Sequence, residues 1–127
     1  MIHSDQLSNV VDREMALERL DGDIELYDEI LVVFRSSTPI EFDRLSDSLN
    51  TASLDSAARE LAQRHSHSIK SASLSIGANV AAACALAVET SAKSAPPEVL
   101  SAKSAELGLA LQAVYVWIDH QKKAADA

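Results

Sequence analysis

With three glycines and three prolines among 127 residues, the chain lacks the turn-formers that a small sandwich or barrel needs. Its apolar residues recur at three- and four-residue spacing, not in alternation. An all-α fold is therefore expected. Hydrophobic residues make up 47% of the sequence but aromatics only 4%, so the core has to be built from aliphatic side chains and alanine.

Gly, Pro and Ser/Asp clusters divide the chain into five helical stretches, at about 10–20, 23–49, 55–76, 78–93 and 97–121. Asp21 and Gly22 close the first, in the manner of a helix end followed by a turn. Asp23 caps the second, where Leu26, Ile30, Val33 and Phe34 fall at helical spacing and the pattern resumes with Phe42, Leu45 and Leu49. Pro39 removes one backbone donor, which predicts a kink or a split near 36–38. Ser53 or Asp55 caps the third helix and Gly77 interrupts it. Val80, Cys84, Ala87 and Val88 share one side of the fourth. Pro96 and Pro97 mark the next loop, and Leu100, Leu107, Ala110, Leu111, Val114, Trp117 and Ile118 form the buried side of the fifth. Residues 122–127 are expected to fray. Long amphipathic helices with short connections predict an antiparallel four-helix bundle, with the short N-terminal helix lying across one end. Residues 1–127 are read as one monomeric domain.

Charge and cysteine use narrow the function classes. The formal net charge is −8, which argues against nucleic-acid binding through bulk charge. The single cysteine, Cys84, forms no internal disulfide and suits a reducing compartment. The opening stretch 2–9 is polar and lacks the pattern of a secretory signal, and nowhere do about 20 apolar residues run together to span a bilayer. A cytoplasmic protein without membrane contact is expected. Three scattered glycines offer no phosphate-cradling loop, so no nucleotide and no cofactor of its own is expected.

The third helix carries the chemistry, in His65-Ser66-His67-Ser68-Ile69-Lys70. Ala58, Ala62, Ile69, Ala72 and Ile76 follow a heptad rhythm that includes position 65. His65 therefore falls on the core seam, as a satisfied or half-buried ring. Residues two apart differ by about 200° around a helix axis, so His67 points nearly away from that seam. Its neighbours there are Gln63, Arg64, Lys70 and Ser71, with Leu74 one turn further. An imidazole that accepts a phosphoryl group needs an unprotonated nitrogen facing out, a nearby cation and room for the donor. His67, Lys70 and the small residues Ser66, Ser68, Ser71, Ala72 and Ser73 meet those needs. A zinc site on His65 and His67 is disfavoured, because rings two apart on a helix diverge.

The stretch His67-Ser68-Ile69-Lys70-Ser71-Ala72-Ser73-Leu74-Ser75-Ile76-Gly77-Ala78 resembles the signature of the histidine-containing phosphotransfer (HPt) domains of bacterial multistep phosphorelays. The likeness extends over most of the chain, from Val11-Asp12 through Leu20-Asp21-Gly22-Asp23 and Leu26 to Phe34, and again from Cys84 to Glu89. It implies a helical bundle whose outward histidine passes a phosphoryl group between receiver-domain aspartates. His67 would then be the phosphoacceptor and Lys70 the phosphate-stabilising cation, with Gln63, Arg64, Ser71 and Leu74 as candidate docking residues. The partners implied are response-regulator receivers or a hybrid histidine kinase, with Mg²⁺ on the receiver. Such a chain is a stoichiometric carrier and not an enzyme. Ser71 stands where the family usually has glycine, and His65 where an aliphatic residue is common. Ser71 keeps a rival in view, a bundle that docks on and inhibits a receiver or kinase without being phosphorylated.

Overall fold

A computed structural model describes residues 10–51 and 53–126; the polar opening stretch 2–9 and Ala127 lie outside them. The fold is all-α, an antiparallel four-helix bundle with a short additional N-terminal helix. The elements are α1 (Arg13–Arg19), α2 (Ile24–Leu49), α3 (Ser56–Ile76), α4 (Asn79–Ser91) and α5 (Pro97–Asp126). Each long helix packs on the next in sequence, α5 returns against α2, and α1 lies on α2 and α3.

Side-chain caps set the starts. Asp12, Asp23 and Asp55 accept hydrogen bonds from the backbone N–H groups of Met15, Leu26 and Ala58 at 3.1, 3.1 and 2.8 Å. Each satisfies one of the orphan donors of a first turn. The first helix thus begins at Arg13, not near residue 10, because Asp12 is its cap, and Asp55, not Ser53, starts the third. Asp21 and Gly22 take positive φ angles of 54° and 77° and end α1 as expected.

The structure departs further from the sequence reading within the helices. Pro39 does not split α2, which is helical without interruption from Ile24 to Leu49. Arg35, one turn earlier, pairs with Asp119 of α5 at 3.1 Å and lies over the Tyr115 ring, so tertiary contacts carry the helix past the missing donor. The buried face of α2 is Tyr27, Leu31, Phe34, Thr38, Leu45 and Ser48, while Leu26 and Val33 are exposed. Likewise α4 buries Ala81, Ala82, Ala85 and Val88 and leaves Val80 outside. Finally, α5 continues through 122–126 as helix.

The end of α3 is fixed most firmly. Gly77 takes φ +84°, and a Cβ there would collide with the Asp12 carbonyl, so two independent constraints select glycine. The N–H groups of Gly77 and Ala78 bond back to the Leu74 and Ser73 carbonyls, and the Asp12 N–H donates to the Gly77 carbonyl at 2.8 Å. The buried Tyr27 hydroxyl donates to the Ile76 carbonyl at 2.8 Å, and burial pushes that phenol up to about 12. Arg19 donates to the Leu74 carbonyl at 3.2 Å. With its terminal carbonyls held this way, α3 cannot rotate freely about its axis, which sets the direction of every side chain it carries.

Candidate functional site

The inner face of α3 is lined by Ala58, Ala62, Ser66, Ile69, Ser73 and Ile76. Ser66 is one of the residues that let α3 pack closely, and its hydroxyl is satisfied by donating to the Ala62 carbonyl at 2.7 Å. Because Ser66 and Ser73 are wholly buried, they give no room to an incoming group. The expectation that five small residues clear that space reduces to Ser68 and Ser71, which are exposed, and half-buried Ala72.

His65 lies at the edge of this seam, its side chain 20% exposed, and its Nδ1 is 2.8 Å from Glu41 of α2. His67 stands outward at 57% exposure, with its Nδ1 3.0 Å from Glu89 of α4. Lys70, one turn on, donates from Nζ to the other oxygen of the same carboxylate at 3.0 Å. Glu89 therefore bridges the two residues on which the sequence motif centres.

The Glu89 carboxyl is pulled in opposite directions. Burial raises its pKa, but hydrogen bonds from Lys70 and His67, together with their charges, outweigh burial and hold it below the usual carboxylate range. An ionised carboxylate only accepts hydrogen bonds. A neutral His67 ring facing it must therefore carry its proton on Nδ1, which leaves the lone pair on Nε2. The arrangement yields a nucleophilic nitrogen whose tautomer is set by a neighbouring helix.

The other candidate residues spread along the same face. Half-buried Gln63 and exposed Arg64 line an open concavity of about 420 Å³ with His67, Ser68 and Glu89. Ser71 is exposed, one turn toward the Gly77 end. Leu74 is 41% exposed, two turns from His67. The structure thus brings Gln63 and Arg64 to the ring and leaves Ser71 and Leu74 outside that concavity.

Glu89 is the site residue that sequence reasoning missed. It lies 22 positions from His67, on a helix for which the sequence reading singles out only the side shared by Val80, Cys84, Ala87 and Val88. The loop after α4 has its own anchor: Arg59 of α3 donates to the Ala92 and Ala95 carbonyls at 3.2 and 2.9 Å. Those bonds fix the C-terminal end of α4 against α3, one turn beyond Glu89. Among the described residues no group of three or more His, Cys, Asp or Glu side chains is arranged to hold a metal, and the two histidines lean on carboxylates of different helices.

The model of the Hpt domain matches residues 29–117. The chain belongs to the Hpt domain family. The match runs from within α2 to within α5, so it covers the helix bearing His67 and the helix bearing Glu89, while α1 lies before it. No curated protein and no solved structure gives a significant match. Membership brings the general setting of Hpt domains, which are phosphocarriers of phosphorelays, with receiver domains and histidine kinases as the family's partners. No helix among the described residues is long and apolar enough to cross a membrane.

Proposed function

We propose that this Hpt domain carries a phosphoryl group on Nε2 of His67, taking it from the aspartyl-phosphate of one receiver domain and giving it to the aspartate of another. The observation that carries this reading is an outward imidazole whose Nδ1 faces an ionised Glu89. In the first transfer the Nε2 lone pair attacks phosphorus, the P–O bond to the donor carboxyl breaks, and that carboxylate leaves with the bonding pair. The ring becomes cationic as the P–N bond forms, and Glu89 opposite the Nδ1–H offsets that charge. Lys70 holds Glu89 in place and adds positive charge one turn from the ring. Such transfers depend on positioning and charge neutralisation more than on covalent help from the acceptor. Mg²⁺ and most catalytic groups then belong to the receiver, and the chain acts as a stoichiometric carrier.

The test is incubation of wild type and His67→Gln with a phosphorylated receiver, followed by a search for acid-labile, base-stable label. Label on wild type and none on His67→Gln is expected. Label that survives the substitution places the chemistry elsewhere. Absence of label on wild type across many receivers favours a domain that docks without being phosphorylated.

A further inference from the structure

Lys70 and Glu89 are paired at 3.0 Å, so Glu89 already takes up much of the positive charge that Lys70 brings to the His67 ring. A phosphoryl group on Nε2 adds a charge of about −1.5 to −2 at neutral pH, close to the Glu89 carboxylate. Lys70 alone faces two anionic groups at once. Another cation on this face is uncommitted. Arg64 is exposed and has no carboxylate partner within ion-pair distance among the described residues; Glu60, one turn before it, is not close enough to pair.

Position favours the same residue. Residues three apart on a helix are surface neighbours, and Arg64, three before His67, lines the concavity beside the ring with Gln63, Ser68 and Glu89. Lys70 follows His67 in the chain, does not line that concavity, and reaches the site through Glu89.

We propose that Arg64 is the cation that contacts the phosphoryl group on His67, its guanidinium binding the phosphoryl oxygens in the concavity while Lys70 remains on Glu89. A planar guanidinium presents two parallel N–H donors to phosphate oxygens, a geometry an ammonium lacks. The proposal rests on His67 being the acceptor, and it turns Arg64 from a docking candidate into a group that touches the transferred phosphoryl.

Phosphoramidate is the probe. In that reaction the P–Nε2 bond forms as the P–N bond to ammonia breaks, and ammonia leaves with the electron pair, so no receiver is needed. Labelling is followed on wild type, Arg64→Ala, Arg64→Lys and His67→Gln, with carbethoxylation of His67 by diethyl pyrocarbonate, a neutral reagent, as the parallel measurement. Arg64→Ala is expected to slow phosphoramidate labelling about tenfold, equivalent to about 1.4 kcal/mol, and Arg64→Lys to recover most of the loss, while carbethoxylation of His67 proceeds at the wild-type rate in both. Labelling of Arg64→Ala at the wild-type rate, or equal slowing of both reagents, overturns the role of Arg64 and leaves His67 as acceptor. Label retained by His67→Gln, or absent from wild type, removes the acceptor reading and Arg64's role with it.

Discussion

His65 and His67 make the same kind of contact and stand in opposite places. Each presents Nδ1 to a glutamate of a neighbouring helix, at 2.8 Å to Glu41 and 3.0 Å to Glu89. Each glutamate also meets a basic residue, Arg44 at 3.8 Å for Glu41 and Lys70 at 3.0 Å for Glu89. The difference is access: the His65 side chain is 20% exposed and the His67 side chain 57%. In the proposed relay a carboxylate behind an imidazole is therefore not enough to make a phosphoacceptor. The partner sets the tautomer, and the rotation of α3 decides which ring stands outward.

That contrast breaks most sharply under paired substitution. His67→Gln is expected to abolish phosphotransfer from a phosphorylated receiver, whereas His65→Gln keeps the transfer rate within about twofold of wild type and lowers stability by about 1 kcal/mol through the altered bond to Glu41. Transfer kinetics and thermal unfolding of both variants check this. Comparable loss of transfer in the two would mean that access does not distinguish the rings.

The two glutamates sharpen the comparison at the next level. Glu89→Gln removes the anion opposite the Nδ1–H, and the transfer rate is expected to fall about tenfold. Glu41→Gln, behind the less exposed ring, should leave the rate nearly unchanged. Equal rates in the two variants would show that Glu89 serves packing alone.

The smallest expected effect is the acid dependence of stability. The folded Glu89 carboxyl is held below its unfolded value of about 4.3. The unfolded chain consequently binds more protons at this position as pH falls, and the contribution of Glu89 is present above about pH 4.3 and lost as the pH drops through the folded value. The stability difference between wild type and Glu89→Gln, about 1 kcal/mol or less for a pair near the surface, should narrow between about pH 6 and pH 3. Urea unfolding at the two pH values measures it, and a difference that stays constant would place the low carboxyl pKa in doubt.

Much of this was legible in the sequence because it is local. The short list of turn-formers, the aspartate caps and the Gly77 helix end each depend on neighbours a few positions away, and the 200° angle between rings two apart follows from helix geometry. Long-range features were not legible. Glu89 meets His67 through the packing of α3 on α4, and the alanine-rich α4 carries apolar residues on several sides, so its periodicity does not reveal which side faces inward. In α2, likewise, helical spacing picks out Leu26 and Val33, whereas packing buries Tyr27 and Leu31. Ser66 and Ser73 look like surface residues in sequence, yet a small side chain is what a close helix contact accepts, and the Ser66 hydroxyl finds its partner within its own helix. Pro39 signals a break in isolation, but the Arg35–Asp119 pair and the packing around Phe34 and Thr38 hold the helix through it.

The most direct measurement is the position of the phosphoryl group itself. After transfer from a phosphorylated receiver, peptide mapping under base-stable conditions, combined with nitrogen NMR of the imidazoles before and after, reports both the residue and the ring atom. Phosphorylation at Nε2 of His67, on a ring that carries its proton on Nδ1 beforehand, is the predicted result; a phosphoryl group on His65 or on Nδ1 of His67 would contradict it.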